Sequence, residues 1–289
     1  MTFLCIDIGG TNTLIGMGNG DFEVVKKVKS RDFLDDIGRC LEETFSRDKI
    51  ESIDQVAVAA AGPIDREKGV FYPPNIHDME SVQIEKPLQE LGELKIINDC
   101  TSAVLGEYHY GGHCVEHLLY VTISSGIGAG MVVDGDVVEG WNGNFGEVGH
   151  MEIAEEGVEC GCGGEDHWEA YCSGNSLPRL AKLTSGKEFE DARELFQENG
   201  NGDRNAEETI RRMQELNANA FANLINLYNP EKIVLGGAVP LNHPEAVVEP
   251  LEEQVEEQSI NEVPSIEVCS LEEEAVLHGL RAVCNGKHR

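Results

Sequence analysis

Basic residues are scarce: 22 lysines and arginines stand against 53 aspartates and glutamates, a net charge of -31 over 289 residues. Nucleic acid and anionic membrane surfaces are bound through a basic footprint, so both are excluded as the main partner. Long apolar runs are missing too. No stretch approaches the ~18 residues of a membrane span, and no basic segment leads into an apolar one at the N-terminus, so neither a transmembrane helix nor a signal peptide is expected. A cytoplasmic protein is the expectation. Nine cysteines are too scattered and odd in number for a disulfide framework. Cys5, Cys269 and Cys284 lie inside apolar runs, where a free thiol acts as a small hydrophobe.

The excess acid is spread through stretches such as Glu249-Pro250-Leu251-Glu252-Glu253, which read as solvated helix faces. Such a surface repels itself unless salt screens it, and near 1 M salt the Debye length falls to about 3 Å. We hypothesise adaptation to a salty, halophilic cytoplasm. Activity and stability unchanged between molar and ~50 mM salt would refute it.

A chain of this length suits two lobes of roughly 100–200 residues each. Residues 2–8 read as a strand ending in a Gly-Gly turn, and alternation on both sides of Gly18-Asn19-Gly20-Asp21 predicts a hairpin. Phe33, Ile37, Leu41 and Phe45 fall at helical spacing, which predicts a helix over 32–46. Val56 to Ala61 is a buried strand closed by Gly62-Pro63, and Leu94 to Ile97 is another, ending at Asn98-Asp99. A helix over 101–110 stops at Gly111-Gly112, the predicted lobe boundary. Leu118 to Ile123, the turn Ser124-Ser125-Gly126-Ile127-Gly128 and a strand to Val133 then repeat the order of the N-terminal unit. A hairpin follows at Asp134-Gly135-Asp136. Helices are predicted near 175–184, 188–198, 205–228 and 271–284, the third with a core-facing stripe of Ile210, Met213, Leu216, Ala220, Leu224 and Leu227. Lys232 to Leu235 forms a strand that runs into Gly236-Gly237.

Three glycine turns therefore follow β-rich runs. In Asp7-Ile8-Gly9-Gly10-Thr11-Asn12-Thr13 the backbone N–H groups can turn toward a phosphate with no Cβ in the way, and Asp7 can orient magnesium through water. With the turns at 124–128 and 236–237, these are the parts of a nucleotide cradle. Asp99, at the carboxyl end of a strand, is placed to accept a proton from an attacking hydroxyl. Taken alone it reads as the cap of the helix starting near Thr101, and the two roles can coexist. His150, Cys160, Cys162 and His167 have the ligand types and close spacing of a structural zinc site, with Cys172 and His113 as substitutes should His167 point away. Glu147 and Glu169 flank that site and can accept hydrogen bonds from adjacent sugar hydroxyls.

Taken together, these residues resemble the ROK family of sugar kinases, within the actin-like ATPase and hexokinase superfamily. The resemblance runs through Asp7 to Thr11, Ala61-Gly62-Pro63-Ile64-Asp65, Pro74-Asn75, Ile97-Asn98-Asp99, Ser125 to Gly128, Gly146-Glu147-Val148-Gly149-His150, Cys160-Gly161-Cys162-Gly163 and Ile233 to Gly237. It implies an α/β, two-lobed actin-like ATPase (ribonuclease H-like) fold with duplicated lobes and a nucleotide and sugar cleft between them. The lobes are expected at 1–112, with a C-terminal helix over 273–289 packing back on it, and at 113–272, which carries the zinc loop.

By the same resemblance, Asp99 is the catalytic base, and Asn75, Asn98, Asp99, Glu147, His150 and Glu169 hold the sugar. Asp7, Gly9, Gly10, Thr11, Asn12, Ser125, Gly126, Ile127 and Gly128 serve ATP and its magnesium, with Gly236 and Gly237 against the adenosine. His150 serves both sugar and zinc, one ring nitrogen each. The chain departs from the family pattern at Asp166-His167, where Gly-Cys is usual, and at Ser124-Ser125, where Gly-Thr is usual. ATP-dependent, magnesium-requiring phosphorylation of a hexose, with glucose first, is the implied activity. Fructose, mannose, N-acetylmannosamine and N-acetylglucosamine are the alternative substrates. A sugar-sensing regulator is disfavoured by the retained Asp99 and by a first phosphate strand at the very start of the chain. A purely structural zinc protein leaves the glycine turns unexplained. A homodimer or homotetramer is expected from the family alone.

Overall fold

The structure, a computed structural model, describes residues 1–19, 21–61, 64–65, 70–71 and 81–287. The chain opens with the antiparallel strands β1 (Thr2–Ile8), β2 (Asn12–Asn19) and β3 (Asp21–Lys29), followed by β4 (Ile53–Ala60) parallel to β1. The short strands β5 (Ile64–Asp65), β6 (Val70–Phe71) and β7 (Val82–Gln83) form a small antiparallel sheet, after which β8 (Glu93–Asn98) pairs in parallel with β4. Later in the chain come β9 (Leu118–Ile123), β10 (Ile127–Val133), β11 (Asp136–Val137), β12 (Lys232–Gly236) and β13 (Ser265–Val268). The two large sheets run β3-β2-β1-β4-β8 and β11-β10-β9-β12-β13. They share one topology, in which the first strand of each lies between its hairpin partners and a later pair of parallel strands.

Strand β1 shows why its residues fold this way. Period-two alternation sends Leu4, Ile6 and Ile8 to one face, where they pack with Ile15, Val56, Val58 and the helical residues Phe33, Ile37 and Leu41. Phe3 and Cys5 go to the other face, against Leu105, Leu277 and Leu280. That second face is covered by the helices Asp99–Tyr110 and Ala275–Cys284, joined by a bond from Ser102 Oγ to Val276 O of 2.7 Å. At Asp134-Gly135 the expected hairpin forms with φ of 53° and 81°, as a tight two-residue turn needs.

Two elements differ from the sequence reading. The helix expected over 32–46 is two helices, Ser30–Asp35 and Ile37–Thr44. Asp36 leaves helical geometry (φ -154°, ψ 86°) and accepts the Arg39 N–H at 3.0 Å, so an aspartate within the stripe acts as a cap instead of continuing the helix. The apolar stripe survives the break because both pieces cover the same sheet face. In the helix Arg204–Tyr228, Ile210, Met213, Leu216, Ala220 and Leu224 are buried as expected, but Leu227 is 69% exposed. It lies in the last turn, just before Asn229 ends the helix in a left-handed conformation.

The chain divides into two compact units. One holds residues 1–114, 130–145 and 273–289, the other 115–129 and 146–272. None of the described helices is long and apolar enough to cross a membrane.

Candidate active site

In the first unit, sheet register gathers the chemistry. Asp7 of β1 lies opposite Ala59 of β4, and Ala60 lies opposite Asn98 of β8, so Asp7 and Asn98-Asp99 share the carboxyl edge of three parallel strands. Alternation also places Asp7 on the Phe3 and Cys5 face, which the helix beginning at Asp99 covers. That helix is capped by Asn98, whose Oδ1 accepts from the N–H groups of Cys100 (2.9 Å) and Thr101 (3.1 Å). The cap expected of Asp99 thus falls to its neighbour. Asn98 spends its carbonyl oxygen there and keeps its Nδ2 as the donor a ligand can use.

Asp99 stands in the first helical turn, its Oδ1 accepting from Cys100 N–H at 2.8 Å. Burial raises its pKa, while hydrogen bonds from Cys100 and from its own backbone amide pull it back down. The pKa of Asp7 is raised to about 8, chiefly by burial and then by the charge of Asp99. Two desolvated carboxyls at one edge disfavour two negative charges there, a condition that a cation or a proton relieves. Beside it, Gly9 N–H donates to Asn12 O at 3.1 Å and Ser30 Oγ donates to Gly9 O at 2.6 Å. Gly9 therefore closes the turn with its own amide, leaving Gly10 and the exposed Thr11 as its phosphate-facing candidates. Asn12 accepts from Lys29 Nζ at 3.2 Å. Asn75 lies outside the described residues.

The second unit carries the remaining candidates. In the turn Ser124 to Gly128, Ser124 N–H donates to Gly126 O at 2.8 Å. Ile127 N–H, expected to face phosphate, donates at 2.9 Å to Oε2 of Glu169. A Cβ on Gly126 would lie 2.5 Å from that same oxygen, so a side chain there would push the carboxylate from its present position. Gly146 and Gly149 let their segment lie on β10: Ala129 N–H donates to Gly146 O at 2.8 Å, and a Cβ on Gly146 would come within 1.8 Å of Ala129 O. The exposed Glu147 and the half-buried His150 are thereby held beside the 124–128 turn. β12 ends in Gly236, and Gly237 starts the short helix Ala238–Asn242.

His150, Cys160, Cys162 and His167 converge, with their ligand atoms all within 4.8 Å of one another. Nδ1 of His150 is 3.8 Å from Cys160 Sγ, and Nδ1 of His167 is 3.2 Å from Cys162 Sγ. Two imidazoles and two thiols closing on one point are the donor set of a tetrahedral metal site. Nε2 of His150 faces away from the thiols, 3.8 Å from Glu147 Oε2. The proposed substitutes stand elsewhere. Cys172 is buried against Met213 O at 3.8 Å, and His113 pairs with Glu107 at 2.6 Å in the first unit.

Asp166 is the organising residue that sequence reasoning missed. It accepts from Gly157 N–H and Val158 N–H, both at 2.9 Å, and from the Tyr171 hydroxyl. These bonds, the Tyr171 hydroxyl first, hold its pKa down to about 2. Its signals in the sequence were an aspartate directly before His167 in a glycine-rich loop and the departure from the Gly-Cys pattern at that position.

Known proteins supply the context for this geometry. The model of the ROK family matches residues 3–285. A glucokinase of Thermotoga maritima is 31% identical over 257 residues, 81% of each chain. The crystal structure of a ROK hexokinase from Thermus thermophilus superposes with a TM-score of 0.78 at 30% identity, covering 97% of this chain and 96% of that one. A ROK family glucokinase from Streptomyces griseus, solved in complex with glucose and AMPPNP, shares the fold with a TM-score of 0.79 at 23% identity over 98% and 99% of the two chains. The α/β actin-like ATPase fold expected from the sequence is the fold of these structures, and the chain belongs to the ROK family.

Proposed function

We propose that the protein is an ATP-dependent glucokinase that transfers the γ-phosphoryl group to the 6-hydroxyl of glucose. The observation that carries the chemistry is the pair Asp7 and Asp99 at the strand ends, in a chain whose relatives include glucokinases at 30–31% identity. Asp99 accepts the hydroxyl proton as the sugar oxygen attacks. Its raised proton affinity suits it to that task, and base assistance of this kind contributes about 10²–10⁴ in rate.

Asn75, Asn98, Asp99, Glu147, His150 and Glu169 are the residues we assign to the sugar. Gly10, Thr11 and the turn at 124–128 are assigned to the phosphates, and Gly236-Gly237 to the adenosine. Asp7 fits a hydrated magnesium, because its carboxyl is desolvated beside a second carboxyl, an arrangement a divalent cation relieves. When bound with ATP, magnesium neutralises charge on the transferring phosphoryl group. We assign zinc to the His150, Cys160, Cys162 and His167 set. If Nδ1 of His150 held the metal, its ring proton would sit on Nε2, and that nitrogen would donate to a sugar hydroxyl. A soluble cytoplasmic homo-oligomer adapted to high salt completes the proposal, the salt reading resting on the net charge of -31.

The test is ADP release from Mg-ATP with glucose, fructose, mannose, N-acetylglucosamine and N-acetylmannosamine, each at low and molar potassium chloride. Turnover led by glucose is expected. Turnover led by another sugar would replace the substrate, and silence with all five from folded, metal-loaded protein would overturn the kinase reading.

A further inference from the structure

The metal loop contains bonding that neither the transfer reaction nor the ligand set requires. Asp166 has φ of 59°, a left-handed backbone that glycine adopts freely and other residues adopt at a cost. Its hydrogen bonds offset that cost. Its N–H donates to Val158 O at 2.8 Å, and its carbonyl accepts from Ile153 N–H at 3.0 Å. Its carboxylate takes Gly157 N–H and Val158 N–H at 2.9 Å together with the Tyr171 hydroxyl. Gly157 and Val158 lead into Cys160, while Tyr171 lies in the helix that follows His167. One nearly buried carboxylate therefore ties the segment before the first thiol to the helix after the last imidazole.

Other bonds complete the loop without drawing on a ligand atom. Cys160 N–H donates to Gly164 O at 2.7 Å and Gly163 N–H to Cys160 O at 2.9 Å. Arg179 donates to Glu159 O at 2.8 Å and to Ala170 O. We infer that Asp166 is a positioning residue that builds the metal loop in advance, so that metal enters a preformed His2Cys2 set instead of folding it. The inference uses the metal assignment proposed above and is independent of the kinase reaction.

The chain has two tryptophans. Trp141 is 95% exposed, whereas Trp168 is fully buried with Nε1 donating to Asn217 Oδ1 at 2.8 Å. In a Trp141→Phe protein, the emission of Trp168 reports on the segment next to His167. After chelation and removal of metal, Trp168 emission is expected to remain that of a buried indole. A shift to the emission of the unfolded protein would overturn the inference, because metal would then be building the loop.

Cobalt(II) titration of the full chain is the second readout, through tetrahedral d–d and thiolate charge-transfer absorption. Asp166→Gly keeps the same bands but binds cobalt about 10–100-fold more weakly than wild type, and Asp166→Asn, which keeps one acceptor oxygen, falls between. Equal affinities overturn the inference. Should Asp166→Gly fail to fold, the chelated Trp141→Phe protein still decides. Wild-type protein without tetrahedral cobalt bands would overturn both this inference and the zinc assignment, while ADP release measured separately would leave the kinase reading standing.

Discussion

Asp7 and Asp99 in the first unit and Asp166 in the second are the same side chain in opposite surroundings. At the strand ends burial raises the proton affinity of both, and the charge of Asp99 helps bring Asp7 to a pKa of about 8. In the metal loop, donors from Tyr171, Gly157 and Val158 lower it to about 2. A carboxylate with its lone pairs filled by the protein is inert and fixes the chain. One left short of donors keeps its basicity for a cation or a substrate hydroxyl. Local satisfaction, more than residue type, separates the carboxylates proposed as reactive from the structural Asp166.

The strongest way to break that contrast is substitution. Asp99→Asn is expected to lower kcat at least ~100-fold while glucose binding by calorimetry stays within a few-fold, whereas metal-loaded Asp166→Asn keeps most of its kcat. Equal losses in both would erase the distinction. Gly146→Ala comes next. Its Cβ would meet Ala129 O at 1.8 Å in a backbone of φ 92°, and about 1–3 kcal/mol of stability should be lost in urea unfolding. An unchanged midpoint would mean that the segment carrying Glu147 and His150 is not clamped on β10.

Chelation sharpens the second region. On the proposed metal assignment, chelation releases Nδ1 of His150, and KM for glucose should rise about tenfold with a smaller change in kcat. A fall in kcat alone would separate the metal site from sugar binding. The smallest effect is a pH slope. With its folded value near 8 and an unfolded value of about 4, native Asp7 holds more protons than the unfolded chain between those limits, so stability falls as pH rises through that window. Without magnesium, Asp7→Asn should therefore raise Tm more at pH 8 than at pH 5. Parallel melting curves for the two proteins would show that Asp7 titrates normally.

Much of this was readable in the chain. β1, its hairpin and the strand ending at Asn98-Asp99 follow from short-range alternation and turn residues, so the carboxyl-edge position of Asp7 and Asp99 was visible. The convergence of His150, Cys160, Cys162 and His167 was visible because these residues lie close together in sequence. What stayed hidden depended on contacts between segments distant in the chain or on competition within one turn. Asp36 sat in a helical stripe whose spacing gives no sign that its side chain prefers to cap. Asn98 and Asp99 are equally good caps by residue type, and only the geometry of the helix start assigns the role to Asn98. Glu169 and Ile127 are 42 positions apart, so nothing local indicated that the carboxylate would take an amide expected to face phosphate.

The most direct measurement of the central claim is the yield of glucose 6-phosphate per ADP from metal-loaded protein given glucose and Mg-ATP, read by a coupled dehydrogenase. One glucose 6-phosphate per ADP, saturable in glucose, is the expected result. ADP release that is independent of glucose, or glucose bound without any product at low and molar salt, would contradict it.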